Sequence, residues 1–227
     1  MATLQDILDQ HILPSHCFTP QYYIKADIHT GLLESRGGYR LAAFPFTLLK
    51  SIYSGLRYET GQAARLILFN CGRDWGSEFV ARVEDELSSY HQLPMGELPI
   101  GLLIDALSDL WSTHGWGKLH LNFNHTDHGI VVAETTSSGF ARAAGELRKA
   151  DKDQPQEPSC HLEAGVLASL FSGLAKRPLS CLQTTCESLG HPQNLFIITA
   201  PDRLKDGQEW IRKALSHQEI MDLLIPK

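Results

Sequence analysis

Cysteine and histidine are the side chains of this sequence with the widest chemistry, and it holds 5 of the first and 11 of the second. The cysteines stand at positions 17, 71, 160, 181 and 186, an odd number without paired C-x-x-C spacing. That pattern argues against a secreted disulfide framework and for free thiols. Among the histidines, His120, His125 and His128 cluster around a polar turn, and His114 precedes Gly115. Strand alternation puts His120 with Asn122 and Asn124 on one face, the composition of a solvated sheet surface rather than of a ligand set. Asp74, Glu134, Glu163 and Glu187 are scattered, and they read as solvated or helix-end charges. There is no G-x-G-x-x-G dinucleotide loop, no G-x-x-x-x-G-K-[ST] phosphate loop, no G-x-S-x-G elbow and no H-E-x-x-H zinc helix. The residues therefore predict no enzyme.

Large aromatics offer a different kind of chemistry. Trp75, Phe79, Trp111, Trp116, Phe123 and Phe171, together with nearby small residues, are candidates for the wall of an apolar ligand pocket. Cys71-Gly72-Arg73-Asp74 is similar to the C-x-R-D of bilin-bearing phycobiliproteins, but four residues are too few to predict covalent attachment.

The elements that must position these residues alternate between helices and hairpins. Thr3 caps an amphipathic segment with Leu4, Ile7, Leu8, Ile12 and Leu13, which Pro14 ends. Leu32-Leu33-Glu34 and Tyr39-Arg40-Leu41 flank Arg36-Gly37-Gly38 as a hairpin. Pro45 opens a helix through Leu48, Leu49, Ile52 and Tyr53. The longest helical pattern runs over 60–90, and Gly72 and Gly76 share one of its faces. Each glycine costs about 1 kcal/mol against alanine, so something must pack closely there: another helix, a second subunit or a ligand. Further predictions are a helix over 100–111, strands over 119–124 and 130–135, and a polar loop over 149–159. Beyond it come a helix over 163–175 that Ser159 can cap, strands over 180–185 and 195–200, and an amphipathic tail over 206–224.

Cys160-His161-Leu162-Glu163-Ala164-Gly165, the small residues Ala168, Ser169, Ser172 and Gly173, the strand ending at Cys186, the turn at Gly190 and Phe196-Ile197-Ile198-Thr199 follow one another in order. In these features the chain resembles the 4-vinyl reductase domain family. Gly61 to Gly76, Gly115-Trp116-Gly117 and Ser137-Ser138-Gly139-Phe140-Ala141 are similar to that family's glycine-bearing helix and central hairpin, so the resemblance spans about residues 45–201. It implies an α+β fold, a mainly antiparallel sheet with helices packed to one side, related to the TRAPP Bet subunits and to haem-based nitric oxide sensors. It divides the chain into an N-terminal helix and hairpin extension, 1–44, and a 4-vinyl reductase-like domain, 45–227.

The family's pattern also has a cysteine at the start of the small-residue helix, a glutamate three before a central cysteine, and a last cysteine two before the closing aromatic. Cys160 and Cys186 match it, whereas Gln183 and Asn194 replace the glutamate and the last cysteine. Zinc takes four thiolate, imidazole or carboxylate donors, and an amide is a poor one. Cys160, His161, Cys186 and His191 remain weak metal candidates; no metal is favoured, zinc is not expected, and buried structural thiols are.

Composition limits the partners. A formal charge of −6 without a basic cluster opposes a nucleic-acid surface. No apolar run reaches the roughly 18 residues of a membrane span, and Met1-Ala2-Thr3-Leu4-Gln5-Asp6 lacks signal-peptide character, so a cytoplasmic protein is expected, peripheral at most to a photosynthetic membrane. The combined expectation is a non-catalytic homodimeric binding protein. Its hydrophobic ligand is a tetrapyrrole, a chlorophyll precursor or bilin, and no cofactor is required. It handles pigment or assists assembly of pigment-protein partners. The alternatives are a TRAPP-type protein scaffold and an auxiliary subunit of a vinyl reductase.

Overall fold

The computed structural model describes residues 16–150 and 157–225. The predicted amphipathic segment ending at Pro14 and residues 151–156 of the polar loop lie outside the described residues.

Helix α1 (Pro20–Tyr23) leads into a two-stranded antiparallel sheet, β1 (Ile24–Asp27) and β2 (Leu32–Ser35). The predicted pairing around Arg36-Gly37-Gly38 is present as a bridge between Glu34 and Arg40 on the other side of β2, while β1 has no counterpart in the sequence reading. Next come α2 (Phe46–Thr60), the long α3 (Ala64–His91) and α4 (Ile100–Thr113). The run predicted from residue 60 is broken at Gly61, where a φ of +57° and a short 3-10 turn separate α2 from α3.

A four-stranded antiparallel sheet follows, with strand order β3 (Lys118–Asn122), β4 (Val131–Thr136), β6 (Asn194–Thr199), β5 (Ser180–Thr185). Helices α5 (Gly139–Ala150) and α6 (His161–Ala175) are inserted between β4 and β5, and α7 (Gly207–Arg212) and α8 (His217–Leu224) close the chain. Period-2 alternation divides the sheet's faces. Leu119, Leu121, Ala133, Phe196 and Ile198 join the main core with the long helices, whereas Val132, Leu182 and Ile197 join a second cluster with Ile220, Met221 and Leu224 of α8. This is the α+β fold with an antiparallel sheet that the sequence predicted, its long helices on one face and the short C-terminal pair closing over the other.

Two expectations change. Residues 139–141, likened to part of a hairpin, open α5, with the Ser138 hydroxyl accepting from the Ala141 amide at 3.2 Å as an N-terminal cap. The glycine face of α3 is filled by α6 of the same chain, so it gives no support to a subunit contact. A Cβ on Gly72 would lie 2.1 Å from the Leu162 carbonyl oxygen, and one on Gly165 would lie 2.1 Å from that of Phe69. Small residues on both helices are what permit this crossing, and the crossing fixes the start of α6. No helix among the described residues is long and apolar enough to cross a membrane.

Candidate functional site

Asn194, at the start of β6 and fully buried, is the hub of a polar knot. Its Oδ1 accepts from the Glu187 amide at 2.9 Å and the Gln183 Nε2 at 3.4 Å. Its Nδ2 donates to a Glu187 carboxylate oxygen at 2.8 Å and to Thr135 at 3.2 Å. Gln183 in turn accepts from the Cys160 amide at 2.8 Å, and Glu187 accepts from the amides of Ser137 and Ser138 at 2.8 and 3.0 Å. The two amides that replace the family's acidic and thiolate positions thus tie β6, β5, the start of α6 and the end of β4 together.

Against this knot lie the two thiols, Cys160 and Cys186, both fully buried with sulfurs 3.7 Å apart. The Ser188 hydroxyl is 3.0 Å and the Ser159 hydroxyl 3.6 Å from Cys186 Sγ. Ser159 is therefore engaged sideways and does not cap α6, whose N-cap is Cys160 without a side-chain bond. Hydrogen bonding from Cys160 pulls the Cys186 thiol down to about 5, while burial pushes Cys160 well above the ordinary thiol range. The pair is a thiol beside a thiolate. As a zinc site the donor set does not fit: the carboxamides are committed to hydrogen bonds, His191 is exposed, and no three His, Cys, Asp or Glu side chains among the described residues converge as donors.

Glu163 corrects the sequence reading most sharply. Instead of a solvated helix-end charge it is fully buried in the first turn of α6, because the small-residue crossing brings that turn against the core. Burial pushes its pKa up to about 8, against the pull of the Ser138 hydroxyl, which donates to Oε2 at 3.0 Å; Oε1 has no partner among the described residues. Tyr53 of α2 is also buried, with its hydroxyl unpartnered among them.

Tyr53 borders a cavity of about 180 Å³ that lies between α2, α3, α5 and the approach to α6. Ala64, Leu68, Ala144 and Leu147 supply apolar wall, and Arg57, Arg65, Arg148, Glu157 and His161 supply polar wall. A second cavity, about 360 Å³, lies between α3, α6, the edge strand β5 and α7, with Leu66, Phe69, Leu182, Leu204, Gln208 and Ile211 in its lining. The two share Arg65, Glu157, Pro158 and His161. In that common wall Arg65 and Glu157 pair at 2.9 Å. Burial, aided by the Arg65 and Arg148 charges, lowers His161 to about 4 and keeps it neutral at pH 7.

The six aromatic candidates separate into two groups. Trp116 is the centre of the first, 5.2 Å from Trp75, 5.4 Å from Phe79 and 4.9 Å from Trp111 between ring centroids, with His114 at 4.7 Å. Phe123 and Phe171 pair elsewhere at 6.5 Å. Neither group lines either cavity; the cavities are lined instead by Tyr53, Arg57, Arg148 and neighbours that carry no local motif. The periodicity of α2 marks Tyr53 as inward-facing but gives no hint of what it faces. His120 is exposed and His125 and His128 half-exposed, as a solvated hairpin requires; Cys71 and Asp74 are exposed on α3, and Glu134 is half-buried on β4.

The fold matches that of the phenol-responsive sensory domain of the transcription activator PoxR, solved with phenol, at a TM-score of 0.65 and 17% identity over 100% of both chains. A vinyl-4-reductase family protein from Methanocaldococcus jannaschii aligns at a TM-score of 0.43 and 14% identity, over 70% of this chain and 83% of that one. A trafficking protein particle complex subunit 3 from Naegleria fowleri, covalently bound to palmitic acid, aligns at 0.45 and 13%, over 68% and 91%. No curated protein has a matching sequence. Residues 150–200, the stretch that carries Cys160, Glu163, Gln183, Cys186 and Asn194, match the model of the 4-vinyl reductase domain family, which puts the thiol and amide knot in a segment of that family's type within a chain of PoxR-sensory-domain fold.

Proposed function

We propose that this chain is a non-catalytic small-molecule-binding domain whose ligand, an apolar molecule of about one ring, occupies the cavity beside Tyr53. The observation that carries this reading is a largely apolar space of about 180 Å³ bordered by a buried tyrosine whose hydroxyl has no partner among the described residues. A dry apolar cavity of about 150 Å³ holds a benzene ring, so the volume suits a ring with one polar substituent. The whole-chain likeness to a sensory domain solved with phenol supports the same ligand size.

A tetrapyrrole, with pigment handling as its use, is the larger version of this reading. A four-ring macrocycle exceeds either cavity, so it requires the Arg65–Glu157 wall shared by the two to open. Titration of the full chain with phenol, biliverdin and protoporphyrin, followed by tryptophan fluorescence, tests both. Saturable phenol binding that Ala144→Leu abolishes is the expected result, with Tyr53→Phe weakening it about tenfold through loss of one hydrogen bond. Saturation only by the pigments would favour the opened cleft, and saturation by none of the three would refute ligand binding.

A further inference from the structure

We propose that the cavity beside Tyr53 selects carboxylates: its ligand is an apolar monocarboxylate whose head sits between Arg57 and Arg148. This rests on the ligand-binding reading and adds the charge of the ligand to it. Three guanidinium groups and one carboxylate line the cavity, Arg57, Arg65 and Arg148 against Glu157, a balance of two positive charges among the described lining residues.

Glu157 pairs with Arg65 at 2.9 Å, which puts the excess on the side of Arg57 and Arg148. Arg148 donates to the main-chain carbonyl of Glu157, a neutral group that removes none of its charge. The Cys186 thiolate behind the wall offsets part of that charge and raises the Arg148 pKa, while burial and then the Arg57 charge lower it, so the two guanidinium groups feel each other. Even with that thiolate counted, positive charge stays in excess around the cavity. Both arginine side chains are half-buried, so their charges are not fully screened. His161, on the same wall, stays neutral and adds no counter-charge.

An uncharged ligand would leave this repulsion in place. A carboxylate relieves it, and planar guanidinium groups bind carboxylates through paired charge-assisted hydrogen bonds. The ring or short alkyl chain of such a ligand then lies against Leu68, Ala144 and Leu147.

Benzoate and benzamide have nearly the same shape and differ in charge, which makes them suitable probes for calorimetric titration of the full chain at pH 7. We expect benzoate to bind at least about tenfold more tightly than benzamide, as one charge-assisted hydrogen bond in place of a neutral one allows. Arg57→Gln and Arg148→Gln, each checked for native circular dichroism, should each reduce that ratio several-fold while leaving benzamide affinity unchanged, and the benzoate affinity should fall with added salt. Equal or tighter binding of benzamide overturns the carboxylate preference while the ligand-binding reading stands. Benzoate binding that neither arginine variant alters places the anion elsewhere and also overturns it. If neither probe saturates the protein, both readings fall.

Discussion

Glu163 shows how far a single residue can depart from what its surroundings in sequence suggest. It follows His161 and Leu162 in the first turn of a helix, where a carboxylate is ordinarily favourable and solvated. Here the turn is pressed into the core, and the acid is held as the neutral form with a pKa of about 8. Its folded pKa lies above its unfolded value, so the neutral acid's contribution to stability is complete below about pH 4.5 and is lost as pH rises towards 8. The slope from one such group approaches about 1.4 kcal/mol per pH unit in that window. Glu163→Gln keeps an acceptor for Ser138 without the ionisation. It should flatten the fall in urea midpoint between pH 5 and pH 8 and make the protein more stable than wild type at pH 8; parallel wild-type and variant curves would show that Glu163 does not carry the titration. None of this is legible locally. The carboxylate, Ser138 and Asn194 are separated by 25 to 31 residues, and nothing within a helical turn of any of them signals the others.

At the scale of elements the sequence is more informative, because helix and strand periods are local properties. The strands of the four-stranded sheet fall within two residues of their predicted ends, and the pairing of the last two follows from the intervening turn at Gly190. Helix α5 escapes the sequence reading although Ser138 and the alanine-rich run after Gly139 are sound helix signals, because the family likeness points to a hairpin there. The glycines of α3 announce a close approach but cannot say to what. With α6 as the answer, the consequence is quantitative. Gly165→Ala would put a methyl carbon 2.1 Å from a backbone oxygen of α3, so the helices must separate, at a cost of at least the roughly 1–3 kcal/mol typical of overpacking. Gly55, inside α2, has nothing within 4 Å of an added Cβ, and Gly55→Ala should stabilise by about 1 kcal/mol through helix propensity alone. Thermal melts of the two variants should therefore move in opposite directions. A Gly165→Ala melt at or above wild type would mean that α3 and α6 do not cross this closely.

For the whole molecule, the sequence sets residues 1–44 apart as an extension, whereas the described part of that segment completes the main core. Cys17, Phe18 and Tyr23 are buried in it, and the Thr113 hydroxyl donates to the Phe18 carbonyl at 2.6 Å. The clearest dependence runs through Glu86 of α3, which is only 4% exposed. Its carboxylate accepts from the Ser35 hydroxyl at 2.6 Å and the Gly37 amide at 3.0 Å, and pairs with Arg36 at 3.1 Å. All three partners come from the extension. Its reach from hairpin to α3, across about fifty residues of chain, is why no local pattern betrays it. A protein beginning at residue 45 would leave Glu86 without these partners and uncover the apolar surface beneath Phe18 and Tyr23. Breaking a buried ion pair from one side costs about 3–5 kcal/mol, a large share of the roughly 5–15 kcal/mol that holds a domain folded. We therefore expect the 45–227 fragment to lack a cooperative thermal transition, and Glu86→Leu within that fragment to recover part of it, because the leucine no longer needs the missing donors. A fragment that melts cooperatively within a few degrees of the full chain would show the extension to be an appendage after all, and would return the domain boundary to residue 45.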